Sequence, residues 1–195
     1  MGTLIFIGVI VAVIIYIIAV YNRLIALKNR FKNGFAQIDV QLQRRHDLIP
    51  NLVETAKAYM SHEKDTLTQV IEARNQAVNA KKTAADHPDD AGAVRNLGKA
   101  ESLLSGSLAN FFALSENYPD LKANETMAQL MEELSSTENR IGFARQAFND
   151  AVMNYNTYRE QFPQNFIGGL FGSFKEAQRL KIETEEARQA VKVTF

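Results

Sequence analysis

The sequence contains no cysteine, which excludes disulfide staples, thiolate metal sites and cysteine nucleophiles and fits a reducing compartment. It lacks a surplus of either charge as well. Its 22 basic and 22 acidic side chains cancel, so there is no electrostatic footprint for nucleic acid, and none is expected as a partner. Four prolines and ten glycines are sparsely placed, which leaves long stretches free to be helical. No segment alternates apolar and polar residues over strand length between hairpin turns. Loops of the GxxxxGK[ST] or GxGxxG kind, which cradle phosphate, are missing, and so is a GxSxG nucleophile elbow.

The few residues with metal-binding chemistry are scattered. His62-Glu63 begins like HExxH, but Thr66 stands where the second histidine would be, so the two-ligand face of a zinc protease is missing. His46, His62 and His87 lie in separate parts of the chain and read as surface or capping residues. Asp86 to Asp90 reads as an exposed turn with a capping aspartate. No catalytic, cofactor-binding or metal-ligating residue is assigned, no cofactor is expected, and the chain does not read as an enzyme.

What the chain does have is an unbroken apolar run, Leu4 to Tyr21, without a charge. As a helix it rises about 27 Å, close to the hydrocarbon thickness of a bilayer, and it predicts a single transmembrane span. No basic residue precedes it and Ile18 to Asn22 offers no small-x-small cleavage site, so a retained anchor is expected over a cleaved signal. Arg23, Lys28, Arg30 and Lys32 follow the run directly. The positive-inside rule then places the amino terminus outside and the bulk of the chain in the cytoplasm. Gly8 has no GxxxG partner, so association through a small-residue groove has little support.

Beyond the anchor, apolar residues recur at three- and four-residue steps: Leu24, Leu27, Phe31, Phe35, Ile38 and Leu42, then Ile49 to Met60 and Leu67 to Val78. Pro50 predicts a kink or a restart, with Asp47 as a cap. Lys81 to Gly92 loses the periodicity and reads as a loop. A second helix carries Val94, Leu97, Leu104, Leu108, Phe111 or Phe112, and Leu114 on one side and ends near Tyr118-Pro119. Asn124 caps a third, which runs to Phe162 and is stopped by Pro163. Ser173 and Glu176 have the spacing of a capping box and predict a short final helix ending around Ala190. The expected fold is all-α: residues 1–22 an anchor, 23–162 an antiparallel bundle of long helices packed near 20°, and 163–195 a glycine-aromatic linker with a carboxy-terminal helix and tail.

Two clusters exceed a plain bundle. Arg44, Arg45 and Asp47 interrupt an apolar face, as a solvated corner or as a polar contact between helices or subunits. Phe166, Ile167, Leu170 and Phe171 form a glycine-flexible apolar patch, either buried beneath the bundle or docked on lipid or a neighbouring subunit. Both are candidate interaction surfaces.

The stretch Ile38-Asp39-Val40-Gln41-Leu42-Gln43-Arg44-Arg45-His46-Asp47-Leu48-Ile49-Pro50-Asn51-Leu52-Val53 closely resembles the signature of LemA-family proteins. Tyr21 to Leu24, Tyr118 to Asn124, Leu134 to Arg140 and Phe162-Pro163 add further matches in order. The resemblance implies a bacterial inner-membrane protein with one amino-terminal membrane helix and a bundle, and no established enzymatic activity. It also implies an association with membrane organisation, since a relative takes part in forming magnetosome membranes. Family members are often encoded beside TPM-domain proteins or a membrane zinc metallopeptidase. The expected function is a membrane-anchored, self-associating scaffold. The alternative is an adaptor for an envelope protease or TPM-domain partner. The expected partners are the lipid bilayer through Leu4 to Tyr21, further copies of the chain, and an envelope protein.

Overall fold

A computed structural model describes residues 1–172 and 174–182. Among the described residues the chain is helical and without strands: α1 (Gly2–Lys57), α2 (Lys64–Asp86), α3 (Ala91–Ser115), α4 (Pro119–Lys122), α5 (Glu125–Glu160) and α6 (Gln164–Phe171).

The first helix sets the frame. It runs for 56 residues without a break and has two regimes of burial. Up to Ala19 its side chains are exposed apart from a half-buried Ile17, and the segment is long and apolar enough to cross a membrane. From Val20 the stripe Leu24, Leu27, Phe31, Phe35, Ile38 and Leu42 is buried. A helix that continues past the apolar run can bury a stripe only where partners stand beside it, and these are α5, α2 and α6. The expected restart at Pro50 does not occur. The helix passes through that residue, and Asp47, which is not a cap, accepts a hydrogen bond from Gln43 Nε2 at 2.7 Å.

Pairings fix the neighbours. Phe31 packs on Tyr155, Phe35 on Phe148, and Arg45 meets Glu138, so the numbering of α5 falls as that of α1 rises. Gly34 lies at a close approach of these two helices. A Cβ there would stand 3.3 Å from the Cα of Phe148, which explains a glycine in the middle of a helix. In the same way Arg74 meets His46, and Lys81 meets Gln43 and Asp39.

Three boundaries differ from the sequence expectation. The stripe from Ile49 to Val78 is divided, because α1 ends at Lys57 and α2 starts at Lys64. Buried Met60 tucks under the turn, Tyr118 Oη donates to Glu63 Oε1 at 2.9 Å, and Asn124 Nδ2 donates to Tyr59 Oη at 3.1 Å. Those partners are distant in sequence, so local periodicity carries no sign of them. The loop expected at Lys81 to Gly92 shrinks to residues 87–90, since α2 extends to Asp86 and Asp90 caps α3 by accepting from the Ala93 amide at 2.8 Å. Asn124 caps α5 as expected, accepting from the Met127 amide at 2.9 Å.

The third difference is the largest. Residues 174–182 are not the start of a helix but an extended strap along α5; Ser173 and the rest of the expected final helix lie outside the described residues. Asn156 grips the Ala177 backbone through both amide and carbonyl, at 3.0 and 2.8 Å. Asn149 does the same to Leu180, at 2.8 and 3.1 Å. Tyr155 Oη donates to the Lys175 carbonyl, and Arg145 to that of Ile182. Burial pushes the Tyr155 phenol pKa up. Two asparagine forks a multiple of the helical repeat apart give extended backbone the hydrogen bonds that a helix would supply internally. Phe174, Ala177, Leu180 and Ile182 are buried beneath, and the Lys181 carbonyl rests against Gly98 on α3 so closely that a Cβ there would collide with it.

Candidate functional site

The core is not one apolar body. One cluster runs from Val20 to Leu42 with the parts of α5, α6 and the strap beside them, and the other from Ile49 through Met60 to Leu134. A polar layer separates them. Arg45 is 3% exposed, and His46 and Glu101 are completely buried. His46 Nε2 lies 2.8 Å from Glu101 Oε1, Arg45 Nη1 3.3 Å from Glu101 Oε2 and 3.2 Å from Glu138 Oε2, and Arg45 Nη2 donates to Ser105 Oγ at 2.9 Å. An imidazole carrying its proton on Nε2 donates to the carboxylate. Nδ1, which has no partner among the described residues, then holds a lone pair and no orphaned N–H.

Backbone chemistry joins the layer to α2. Pro50 has no N–H, so the His46 carbonyl loses its ordinary acceptor role four residues back. Arg74 Nε donates to it at 2.9 Å. One turn of α2 and one proline of α1 are thereby matched, and the helix stays unbroken because the gap in its ladder is filled from outside.

A second charged station lies toward the exposed apolar segment. Lys28 and Lys32 both reach Asp89, in the α2–α3 turn, at 2.9 and 3.2 Å. Burial raises the Asp89 pKa, but hydrogen bonds donated by the two lysines, together with the Lys28 charge, outweigh it and hold the carboxyl at about 2 against an ordinary 3.8. Beside this station the α5–α6 connection turns over. Tyr21 stacks edgewise on Phe171 at 5.0 Å and on Phe174 at 5.5 Å, and Ile167 and Gly168 are buried. Phe166 and Leu170 point outward, 74% and 73% exposed, with Phe162 before them at 86%. Gly172, left-handed at φ 62°, reverses the chain into the strap.

The anticipated interaction residues therefore occupy two separate places. Arg44 and Asp47 are exposed on α1, with Arg44 3.6 Å from Glu133. Arg45 faces inward, so the buried layer and not the surface holds it. Phe166, Leu170 and Phe171 lie at the other end, about 35 Å along α1 by helical rise, and Ile167 is part of the core. From the sequence alone, Glu101 and Glu138 have no assigned role, Arg74 falls on an apolar stripe, and His46, which is completely buried, reads as a surface or capping residue. A signal for Glu101 was present: Val94, Leu97, Leu104 and Leu108 leave a vacant step in their three-four register, and Glu101 fills it. Arg45 falls on the corresponding step of α1 and Thr137 on that of α5. A polar residue in an apolar register announces a buried layer; its partners appear only on assembly. Among the described residues no cluster of histidine, aspartate or glutamate suited to a metal ion occurs.

The LemA family model matches residues 34–195. The chain is similar to magnetosome protein MamQ 2 of Paramagnetospirillum magneticum, 25% identical over 184 residues that cover 87% of this chain and 67% of the relative. MamQ of Magnetospirillum gryphiswaldense is 24% identical over 183 residues, covering 86% and 67%. Protein LemA of Metamycoplasma hominis is 23% identical over 174 residues, covering 86% and 75%.

Proposed function

The chain belongs to the LemA family, and from that premise we propose that it is a membrane-anchored, non-enzymatic scaffold whose antiparallel helical bundle self-associates at the bacterial inner membrane. The observation that carries this reading is the continuity of α1. Its exposed apolar segment and its buried stripe belong to one helix of 56 residues, unbroken even at Pro50. An anchor joined to its domain by a flexible linker would only tether it. A continuous helix also fixes the domain's height and tilt, and copies brought together in a bilayer would stand in a common orientation. Similarity to proteins named for the magnetosome supports an organising role at a membrane. Arg23, Lys28, Arg30 and Lys32 favour the cytoplasmic side for the bundle.

Native mass spectrometry of the full-length protein in nanodiscs tests it. A discrete species of many copies is expected. A monomer would end the self-association reading, and a fixed complex with a different polypeptide would favour the adaptor. For that second reading the exposed pair Arg44 and Asp47, with an open groove of about 720 Å³ lined by Pro50, Val53, Leu67 and Ile71, offers a surface at the end away from the anchor.

A further inference from the structure

The uncharged tip of the chain is left over by the scaffold reading. Between Arg159-Glu160 and Lys175-Glu176 the sequence runs from Gln161 to Phe174 without a charged residue. Within it α6 divides its side chains sharply. Ile167 and Gly168 face the core, where a Cβ on Gly168 would stand 3.6 Å from Leu24, while Phe166 and Leu170, one turn apart, face outward. Phe162, in the connection between α5 and α6, is exposed as well. Large apolar side chains so exposed are unfavourable in water, and a folded domain rarely groups them without an occupant.

The position of these side chains identifies that occupant. The α5 residues that meet α1 approach the exposed apolar segment in order: Phe148 opposite Phe35, then Tyr155 opposite Phe31. α6 continues the descent, bringing Phe171 onto Tyr21, the last residue of the apolar run. At Gly172 the chain reverses, and the strap climbs back along α5 from Ala177 at Asn156 to Leu180 at Asn149. The turning point thus lies level with the end of the span, where hydrocarbon gives way to headgroups.

We propose that α6 is an interfacial helix that sinks Phe162, Phe166 and Leu170 into the boundary between headgroups and acyl chains. It forms a second membrane contact beside the α1 span. The absence of charge from Gln161 to Phe174 fits insertion to about 5–10 Å, the usual depth of a helix lying in the interface plane. Tyr21, packed between the span and α6, sits at the boundary where an aromatic ring with a polar end is favoured. The contact would fix the rotation of α1 about its own axis, which a single span leaves free. This inference rests on the α1 segment spanning the bilayer and holds for either orientation of the span.

The chain contains no tryptophan, so single replacements report on one site each. Full-length Leu170→Trp, Phe166→Trp, Val9→Trp and Phe143→Trp variants are placed in phosphatidylcholine–phosphatidylglycerol vesicles whose acyl chains are brominated at shallow or deep positions. Phe143, exposed beside Val40, is the control, about 28 Å of helical rise beyond Tyr21. Emission from Leu170→Trp and Phe166→Trp is expected to be blue-shifted and quenched most by shallow bromine, that from Val9→Trp by deep bromine, and that from Phe143→Trp by neither. Water-like emission from Leu170→Trp and Phe166→Trp, with Val9→Trp still quenched, would overturn the interfacial helix and leave the anchor standing. Blue-shifted but bromine-insensitive emission at those two positions would overturn it in favour of coverage by a second copy. An unquenched Val9→Trp would remove the anchor and the inference together.

Discussion

Arg74 donates its Nε–H to the carbonyl oxygen of His46 at 2.9 Å, the acceptor that Pro50 leaves without its helical partner. A defect in one helix is thus repaired by the side chain of another, and the repair ties α2 to the point where the apolar core is interrupted. Arg74→Met should destabilise the fold by about 1–3 kcal/mol, the usual consequence of leaving a buried acceptor unmade. Pro50→Ala restores the N–H and should shrink that loss. Thermal unfolding of the two single variants and the double, read as a cycle, measures the coupling; additive effects would mean that the two residues act independently.

Glu101 is the common partner of two buried groups, Arg45 and His46. Glu101→Ala takes the buried carboxylate from both Arg45 and His46 and leaves the guanidinium only Glu138 and Ser105, so it should cost toward the lower end of about 3–5 kcal/mol. Replacing the set, as Arg45→Met, His46→Leu and Glu101→Leu together, should recover most of that stability, because an apolar layer has no desolvation penalty. The layer's contribution is then alignment: it lets α1, α3 and α5 meet in one register. Chemical denaturation checks the first claim. Broadened amide NMR spectra of the triple variant, despite recovered stability, check the second.

The strap depends on two asparagines. Asn149→Ala with Asn156→Ala removes both forks from Leu180 and Ala177 and leaves their backbone groups unpaired. Each replacement should destabilise by about 1 kcal/mol or more. Trypsin should then cut faster at Arg179 and Lys181, while the cleavage rate elsewhere is unchanged. Gly98→Ala should have the same effect from the opposite side, by forcing a methyl group into the Lys181 carbonyl.

Asp89 makes a pH-dependent contribution whose sign is fixed. Its folded pKa of about 2 lies below the ordinary 3.8, so the folded state binds fewer protons there than the unfolded chain. Its stabilisation is complete above about 3.8 and is lost as pH falls toward about 2. Asp89→Asn should therefore lower the melting temperature at neutral pH, and the difference from the parent should vanish near the acid end. Raised salt should narrow it at neutral pH, because the carboxylate is partly exposed.

Removing residues 1–19 should release a folded domain. The core stripe of α1 begins at Val20, and Tyr21 packs on Phe171 and Phe174, so a cut after Tyr21 would take core with it. Cooperative thermal unfolding followed by far-UV dichroism is expected for the shorter deletion, and a lower midpoint for a deletion through Tyr21.

The amino-acid order by itself determined what depends on neighbours along the chain. The apolar run from Leu4 to Tyr21, the three-four stripes of α1, α3 and α5, and the cap at Asn124 are all local matters of periodicity and short side chains, and they were legible as such. What only the tertiary structure decided depends on partners far away in sequence. Pro50 does not break α1 because Arg74 supplies the missing donor. Residues 174–182 are not helical because Asn149, Asn156 and the space above Gly98 reward extended backbone more than a lone capping pattern rewards a helix. Arg45 is buried because Glu101 and Glu138 meet it from two other helices. Apart from proline, local propensities differ by no more than about 1 kcal/mol per residue, and a few satisfied buried groups exceed that once the chain has folded.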